Sequence, residues 1–324
     1  MSKLVRWLLG IGLLVILLVA GSVLFLHGRA DDIRAGPVAV HEVSFPIPFP
    51  LSGVEIDSLG LSPEEADRVA LERARERGRH LVEARYGCVD CHGQDFGGGT
   101  MAEAGPVGSF YAPNLTAGDG GRTAAFSATD WDAVVRHGVM PDGSRSIMPS
   151  VDFHRMSDQE LSDVIVFVRS LPAVDRTMPP SALGPLGKIL VATGRLPFSA
   201  DVITELGIAH PTDPPPTGVT REFGAHVAAP CMGCHGMDMA GGPVPGGPPD
   251  WPLAANLTPH ADGLGGWSYE DFLTAVMEGR RPDGTEIQVP MTTIMPLFGN
   301  MTETELEAMW LHLSSLDPVP GPES

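Results

Sequence analysis

The 324-residue chain has little cysteine, few aromatic side chains and a shortage of positive charge. Its four cysteines are too few to hold together a secreted disulfide scaffold of this length. Aromatic residues make up only 6%, whereas 39 glycines and 31 prolines indicate that much of the chain is loop. The 21 lysines and arginines are outnumbered by 40 aspartates and glutamates, so a net charge of −19 would repel a phosphate backbone. Nucleic-acid binding is therefore disfavoured as a function.

The chain does have enough apolar residues for more than one core. Hydrophobic residues contribute 43%, and the length exceeds a typical domain of roughly 100–200 residues. We therefore expect two modules with connecting segments.

The N-terminus carries a 20-residue stretch without charge, residues 7–26, preceded by Lys3 and Arg6. A helix of that length spans about 30 Å, the thickness of the hydrocarbon core of a bilayer. A positive flank stays in the cytoplasm, which would place the rest of the chain on the periplasmic side of the inner membrane. A cleaved signal peptide is the alternative, because residues 20–22 are small. We expect an uncleaved, single-pass anchor within residues 1–35, because the apolar run continues past that point.

Proline-rich segments divide the remainder of the chain. Residues 36–63 contain closely spaced prolines, which exclude a helix and favour an extended stalk. A second proline-rich stretch, within the linker 173–219, marks a boundary. The predicted modules are therefore residues 64–172, called module 1, and residues 220–324, called module 2.

The two modules repeat one pattern. Each contains, in the same order, Cys-x-x-Cys-His, Asn-Leu-Thr, a tryptophan, Pro-Asp-Gly, Met-Pro and a closing helix. These features begin in module 1 at Cys88, Asn114, Trp131, Pro141 and Met148, and in module 2 at Cys231, Asn256, Trp267, Pro282 and Met295. The first cysteine precedes the asparagine by 26 and 25 residues, and the asparagine precedes the methionine by 34 and 39. A surface loop absorbs the difference in length.

The closing helices have matching signals. Ser157 with Glu160, and Thr302 with Glu305, each fit a capping box ahead of an apolar run. The apolar positions of these runs recur at helical spacing and predict one buried face per helix. They are Leu161, Val164, Ile165 and Val168 in module 1, and Leu306, Met309, Trp310 and Leu313 in module 2.

The Cys-x-x-Cys-His motifs indicate covalently attached haem. Two thiols at this spacing can add to the vinyl groups of a haem, and the adjoining imidazole becomes the proximal iron ligand. The candidate residues are Cys88, Cys91 and His92 in module 1, and Cys231, Cys234 and His235 in module 2. A zinc site and a thioredoxin-like redox pair are the alternatives. Two identical motifs that use every cysteine of an exported chain favour two haem c groups.

With these motifs, the chain resembles the class I c-type cytochromes, small helical domains that enclose one haem between a histidine and a methionine. The segment Gly265-Gly-Trp-Ser268 and the shared Asn-Leu-Thr, Pro-Asp-Gly and Met-Pro signals are similar to the cytochrome subunits of membrane-bound alcohol and sugar-acid dehydrogenases. Those subunits carry three haem motifs, whereas this chain has two. The resemblance implies an all-α fold with two tandem cytochrome c-like domains.

The same resemblance implies that Met148 and Met295 are the sixth iron ligands, 60 and 64 residues after the first cysteine of their modules. A thioether in this position favours ferrous iron. Neighbouring residues compete for the role: Met140, Met156 and His154 in module 1, and Met291, Met301 and His312 in module 2. Asn114 and Asn256 fit either a hydrogen bond to a haem propionate or an Asx turn. His80 and His226, at matching places before the haem motifs, are expected to serve in packing.

We therefore expect a membrane-anchored dihaem cytochrome, an electron carrier rather than an enzyme. It would pass single electrons from a dehydrogenase or a quinol-linked donor to a terminal acceptor. The net negative charge favours a basic soluble cytochrome, copper protein or oxidase as partner. A dihaem peroxidase-like enzyme and an electron-accepting subunit of a membrane-bound dehydrogenase are the alternatives.

Overall fold

The computed structural model describes residues 2–40, 42–206, 210–248 and 250–322. The N-terminal helix α1 (Lys3–Ala35) begins at the N-cap Ser2. Among the described residues it is the one helix long and apolar enough to cross a membrane. Its apolar part is exposed, but its last turns bury Ala30 against helix α7 (Pro185–Ala192). The helix is therefore continuous from the apolar stretch into the folded part of the chain.

The segment 36–63, predicted as a stalk, lies against module 1. Phe45 and Ile47 pack on its hydrophobic core, and Pro46 O accepts a hydrogen bond of 2.8 Å from Ser162 Oγ. The extended backbone is as expected for a proline-rich segment, but the apolar side chains between the prolines find a buried surface there. A short helix that the pattern did not predict, α2 (Gly53–Leu59), follows with its own capping box.

Module 1 is built around two crossing helices. Helix α3 (Pro63–His80), which ends in a π-helical turn Leu81–Arg85, crosses helix α6 (Asp158–Arg169) at Gly78. A Cβ at Gly78 would lie 2.1 Å from Asp163 O, so only glycine permits this close approach. Between these helices the chain forms α4 (Cys88–His92), α5 (Ala128–His137) and a 3-10 turn Ser150–Asp152.

A small antiparallel sheet accompanies the helices of module 1. Strand β1 (Gly99–Glu103) pairs with β2 (Gly108–Ala112), and β2 pairs with the two-residue strand β3 (Ala182–Leu183). β3 belongs to the predicted linker, which also forms α7 and α8 (Ser199–Leu206). The fold is nevertheless mainly helical, as predicted.

Module 2 repeats the arrangement in shorter form. Its helices are α9 (Arg221–Val227), α10 (Met232–His235), α11 (Tyr269–Glu278), α12 (Met291–Phe298) and α13 (Glu303–Leu313). Helix α9 crosses α13 at Gly224, where a Cβ would lie 1.9 Å from Ala308 O. The predicted capping boxes begin both closing helices, at Ser157 in α6 and Thr302 in α13.

Candidate haem centres and their interface

Helix α4 holds the first Cys-x-x-Cys-His motif and orients its imidazole. His92 is 8% exposed, and its Nδ1 lies 2.9 Å from Pro113 O. A carbonyl only accepts, so Nδ1 carries the proton and the Nε2 lone pair is left for a metal. Burial lowers the pKa of His92, although the hydrogen bond to Pro113 opposes the shift, so the ring is neutral at physiological pH.

Module 2 repeats this geometry at His235. Its Nδ1 lies 2.7 Å from Ala255 O, and burial likewise lowers its pKa. Each accepting carbonyl comes directly before the asparagine of an Asn-Leu-Thr segment.

Asn114 and Asn256 form Asx turns, which was one of the two arrangements expected from the sequence. Asn114 Oδ1 accepts from Thr116 N at 2.9 Å, and Asn256 Oδ1 accepts from Thr258 N at 2.8 Å. Their amide groups donate to the backbone after each closing helix, at Val174 O and Val319 O. Because the turns are buried and tied at both ends, they fix the carbonyls that orient the two imidazoles.

A cavity of about 330 Å³ adjoins the motif of module 1. Cys88, Cys91, His92 and Met148 all line it, so the structure brings four predicted site residues together. Trp131 also lines it, and its buried Nε1 has no hydrogen-bond partner among the described residues. Three arginines complete the wall with positive charge: Arg34, Arg122 and Arg145. An apolar cavity with cations and an unused donor suits a planar apolar group with acidic substituents.

The competing ligands of module 1 divide into two groups. Met140 lines the same cavity as Met148, so its position also allows it to be the sixth iron ligand. Met156 is 1% exposed and packs in the core. His154 Nδ1 lies 2.8 Å from Arg136 O, and its ring is not among the cavity-lining side chains.

In module 2, Met295 lies inside α12 and its thioether approaches the end of α11. A Cβ at Gly279 would be 3.1 Å from Met295 Cε. Met291, one turn earlier, packs against the hydrophobic core, as does Met301. His312 contacts the helix crossing at Gly224.

The four cysteines are free thiols of intermediate exposure. Burial raises the pKa of Cys88 and that of Cys231 to about 12. A thioredoxin-like redox pair needs a thiol with a lowered pKa, so these surroundings do not suit that chemistry.

The segment after each candidate methionine packs on the haem motif of the other module. Asp152, four residues after Met148, is so close to Gly233 that a Cβ there would lie 1.8 Å from Asp152 Oδ1. Leu297, two residues after Met295, contacts Gly87, which precedes the first motif. The two Cys-x-x-Cys-His motifs therefore lie on either side of one interface. Burial raises the pKa of Asp152 to about 7.

Reciprocal ion pairs hold this interface together. The Arg85 guanidinium donates to Glu160 of module 1 and to Glu305 of module 2, at 2.6 Å each. His80 Nε2 lies 2.8 Å from Glu305, and His226 Nε2 lies 2.8 Å from Glu160, so each histidine pairs with the other module. The sequence analysis expected His80 and His226 to serve in packing and did not predict that they pair with glutamates of the opposite module. The signal was present as Gly-x-His in both halves, two residues after each crossing glycine.

Comparison with known proteins agrees with this architecture. A family model for cytochrome c matches residues 75–172 and 223–317, which together exceed half of the chain. The chain belongs to the cytochrome c family. Members of this family hold haem c covalently, and the cavity beside Cys88 and His92 fits that group in shape, charge and donor set.

Curated relatives of this cytochrome are subunits of dehydrogenases. The cytochrome c subunit of alcohol dehydrogenase (quinone) from Gluconacetobacter polyoxogenes is 28% identical over 267 residues, covering 73% of this chain and 55% of that protein. Its counterpart from Gluconobacter oxydans is 24% identical over 288 residues, covering 79% and 57%. The gluconate 2-dehydrogenase cytochrome c subunit of Pantoea cypripedii is 32% identical over 108 residues, covering 32% and 24%. The chain therefore spans about half the length of the first two relatives.

Proposed function

We propose that this cytochrome is a membrane-anchored dihaem electron carrier that serves as the electron-accepting partner of a dehydrogenase. The observation that carries the proposal is the reciprocal packing of Asp152 on Gly233 and of Leu297 on Gly87. It sets two haem motifs against one shared interface, which favours exchange of electrons within the chain.

The residues proposed to hold the two groups are those with the geometry described above. Cys88 and Cys91, and Cys231 and Cys234, supply the thioether links. His92 and His235 supply the proximal ligands, since their Nδ1 atoms are committed to backbone carbonyls. Met148 and Met295 supply the sixth ligands, because Met148 lines the His92 cavity and Met295 holds the equivalent place in the repeat.

This ligand set decides the class of chemistry. Haem iron held by protein on both sides supplies one-electron Fe(II)/Fe(III) cycling and offers no open position for a substrate. Trp131 and Val135 supply an apolar wall, and the guanidiniums of Arg34 and Arg122 in the same lining can pair with carboxylates of a bound group.

The membrane and partner assignments extend the proposal. Helix α1 anchors the chain as a single span with the modules on the periplasmic side, because Lys3 and Arg6 precede the apolar stretch. The donor is a dehydrogenase or quinol-linked protein, as the names of the relatives suggest. The acceptor is a soluble cytochrome, a copper protein or an oxidase with a basic docking face, since this chain has a net charge of −19.

The number of haems is tested with the purified, detergent-solubilised chain. Denatured protein should retain two haems per polypeptide, and each double variant, Cys88→Ala with Cys91→Ala or Cys231→Ala with Cys234→Ala, should retain one. Fewer than two haems in the unaltered chain would remove the proposal.

The sixth ligands are tested by near-infrared spectroscopy of the ferric protein. Met148→His and Met295→His should each abolish half of the methionine–iron charge-transfer band and lower one reduction potential. Met140→His is the matched control, since it lines the same cavity, and should leave both signals unchanged. A high-spin haem that binds cyanide in the unaltered chain would instead indicate a peroxidase-like enzyme.

A further inference from the structure

Three histidines, one buried and two half-buried, form a cluster away from the haem cavity. His137 ends helix α5, His154 follows the 3-10 turn Ser150–Asp152, and His210 lies in the connector between α8 and α9. One nitrogen from each ring lies within 4.8 Å of the other two. The rings meet edge to face, with centroids 4.8 to 5.5 Å apart. Three chain segments distant in sequence thus meet with their imidazoles in one place.

One nitrogen of the cluster, His154 Nε2, makes no hydrogen bond among the described residues. His154 is 2% exposed, and its Nδ1 must be the donor toward Arg136 O because a carbonyl only accepts. Its Nε2 is therefore an unprotonated acceptor, and it has no hydrogen-bond partner among the described residues. A histidine that donates from one nitrogen to a carbonyl and presents the other as a lone pair has the form of a metal ligand.

Distances within the cluster are close to those of a shared ion. His137 Nε2 and His210 Nε2 are 3.1 Å apart, and two nitrogens on one tetrahedral zinc ion lie about 3.3 Å apart. Asp132 Oδ2 lies 3.3 Å from His137 Nε2 and is placed to supply a fourth ligand. The ligand atoms of all three rings lie within 4.8 Å of one another, so the rings draw closer together when they bind one ion.

Charges of both signs lie beside the cluster. Two guanidiniums, Arg136 and Arg155, act on His154, while Asp132 and Asp158 both pair with Arg136. Because both carboxylates pair with it, the charge of Arg136 is offset beside the cluster.

We propose that His137, His154 and His210 form a zinc(II) site, with the Asp132 carboxylate as fourth ligand, that fastens the inter-module connector to module 1. Imidazole and carboxylate ligands without thiolate suit zinc(II) or copper(II), and the closed four-ligand set suits a structural zinc ion. The connector is held beside the site by further contacts. Pro211 O and Thr212 O accept hydrogen bonds of 3.0 Å each from Asp158 N and Gln159 N, at the start of α6.

The test measures zinc in the full-length protein with its haems, purified in detergent without a polyhistidine tag. The protein is stripped with a chelator, dialysed against zinc chloride and analysed for zinc and iron by mass spectrometry. We expect one zinc per chain. Hydrogen exchange of residues 210–216 should also slow when zinc is added, because the site ties that part of the connector to module 1.

Two variants separate ligation from folding. His210→Ala changes a half-buried residue of the connector and should weaken zinc binding at least about 100-fold, with unchanged haem absorption. His154→Gln should weaken zinc binding in the same way. His27→Gln is the control, because His27 is a half-buried residue of α1 that bonds Pro185 O and is not part of the cluster. Zinc binding that survives His210→Ala, or no zinc beyond background in the unaltered protein, would overturn the proposal. None of these outcomes depends on the number of haems.

Discussion

At the scale of single residues, one buried carboxyl group stands out at the interface between the haem motifs. Asp152 contacts Gly233. Burial is the main cause of the raised pKa of Cys234, and the negative charge of Asp152 raises it further. Asp152 Oδ1 has no hydrogen-bond partner among the described residues. A buried, unpaired carboxylate costs free energy, so its position beside both motifs points to an electrostatic effect on the proposed haems.

Replacing Asp152 should raise a reduction potential. At pH 8, above the raised pKa of about 7, the carboxyl is ionised and stabilises ferric iron. Asp152→Asn removes this charge, so the midpoint potential of at least one haem should increase in a spectroelectrochemical titration. Asp67→Asn, at an exposed position of α3, should leave both potentials unchanged. Identical potentials in the two variants would show that Asp152 has no electrostatic role.

At the scale of elements, each module depends on one helix crossing. Gly78 and Gly224 let the helix before the haem motif touch the backbone of the closing helix. The same contact occurs twice, on Asp163 O and Ala308 O, although α3 has 18 residues and α9 has seven. The crossing, rather than helix length, is therefore the common framework on which each haem motif is built.

A methyl group at the crossing should destabilise module 1. In Gly78→Ala the new Cβ meets Asp163 O at 2.1 Å, so the helices must separate, at a cost of about 1–3 kcal/mol in unfolding free energy. Gly53→Ala is the control, because a Cβ there has no neighbour within 4 Å. Thermal unfolding followed by circular dichroism measures both. Equal melting temperatures for the two variants would contradict the crossing argument.

At the scale of the whole molecule, buried charges join the modules. Arg85 is 9% exposed between Glu160 and Glu305, which are 4% and 3% exposed. The two glutamates are the capping-box residues of α6 and α13. Glu160 and Glu305 therefore cap the N-termini of the closing helices and also hold the two modules together through Arg85.

Removing the shared cation should destabilise the assembled molecule. Arg85→Met leaves two buried carboxylates without their guanidinium, which costs about 3–5 kcal/mol when a buried pair is broken. Chemical denaturation should show this loss, whereas Arg75→Met at an exposed position of α3 should change stability little. A small effect of Arg85→Met would mean that the histidines alone hold the interface.

The same charges predict an acid-sensitive stability. Burial would raise the pKa of Glu305, but the His80 hydrogen bond and the Arg85 charge outweigh it and lower the pKa to about 2. A lowered carboxyl pKa contributes stability above its ordinary value of about 4.5 that is lost as the pH falls toward 2. Unfolding free energy should therefore fall between pH 4.5 and 2, less steeply in Glu305→Gln than in the unaltered chain. Glu64→Gln, an exposed residue of α3, should keep the original slope.

Local sequence signals determined much of this cytochrome. The Cys-x-x-Cys-His spacing identified two candidate haem-attachment motifs. The capping boxes of Ser157 and Thr302 correctly predicted where the closing helices begin. These features depend on residues within a few positions of each other, so periodicity and hydrogen-bonding capacity suffice to read them. The repeat likewise predicted two modules, in agreement with the two regions of the family match.

Only the tertiary structure decided what these segments contact. It placed residues 36–63 against module 1, paired His80 with Glu305 and His226 with Glu160, and gathered His137, His154 and His210. Such contacts join residues 66 to 225 positions apart in the ion pairs, and no local pattern encodes which distant partner a side chain meets. The burial that raises the pKa of Asp152 and the charged partners that lower the pKa of Glu305 are likewise properties of the packed molecule and not of the single residue.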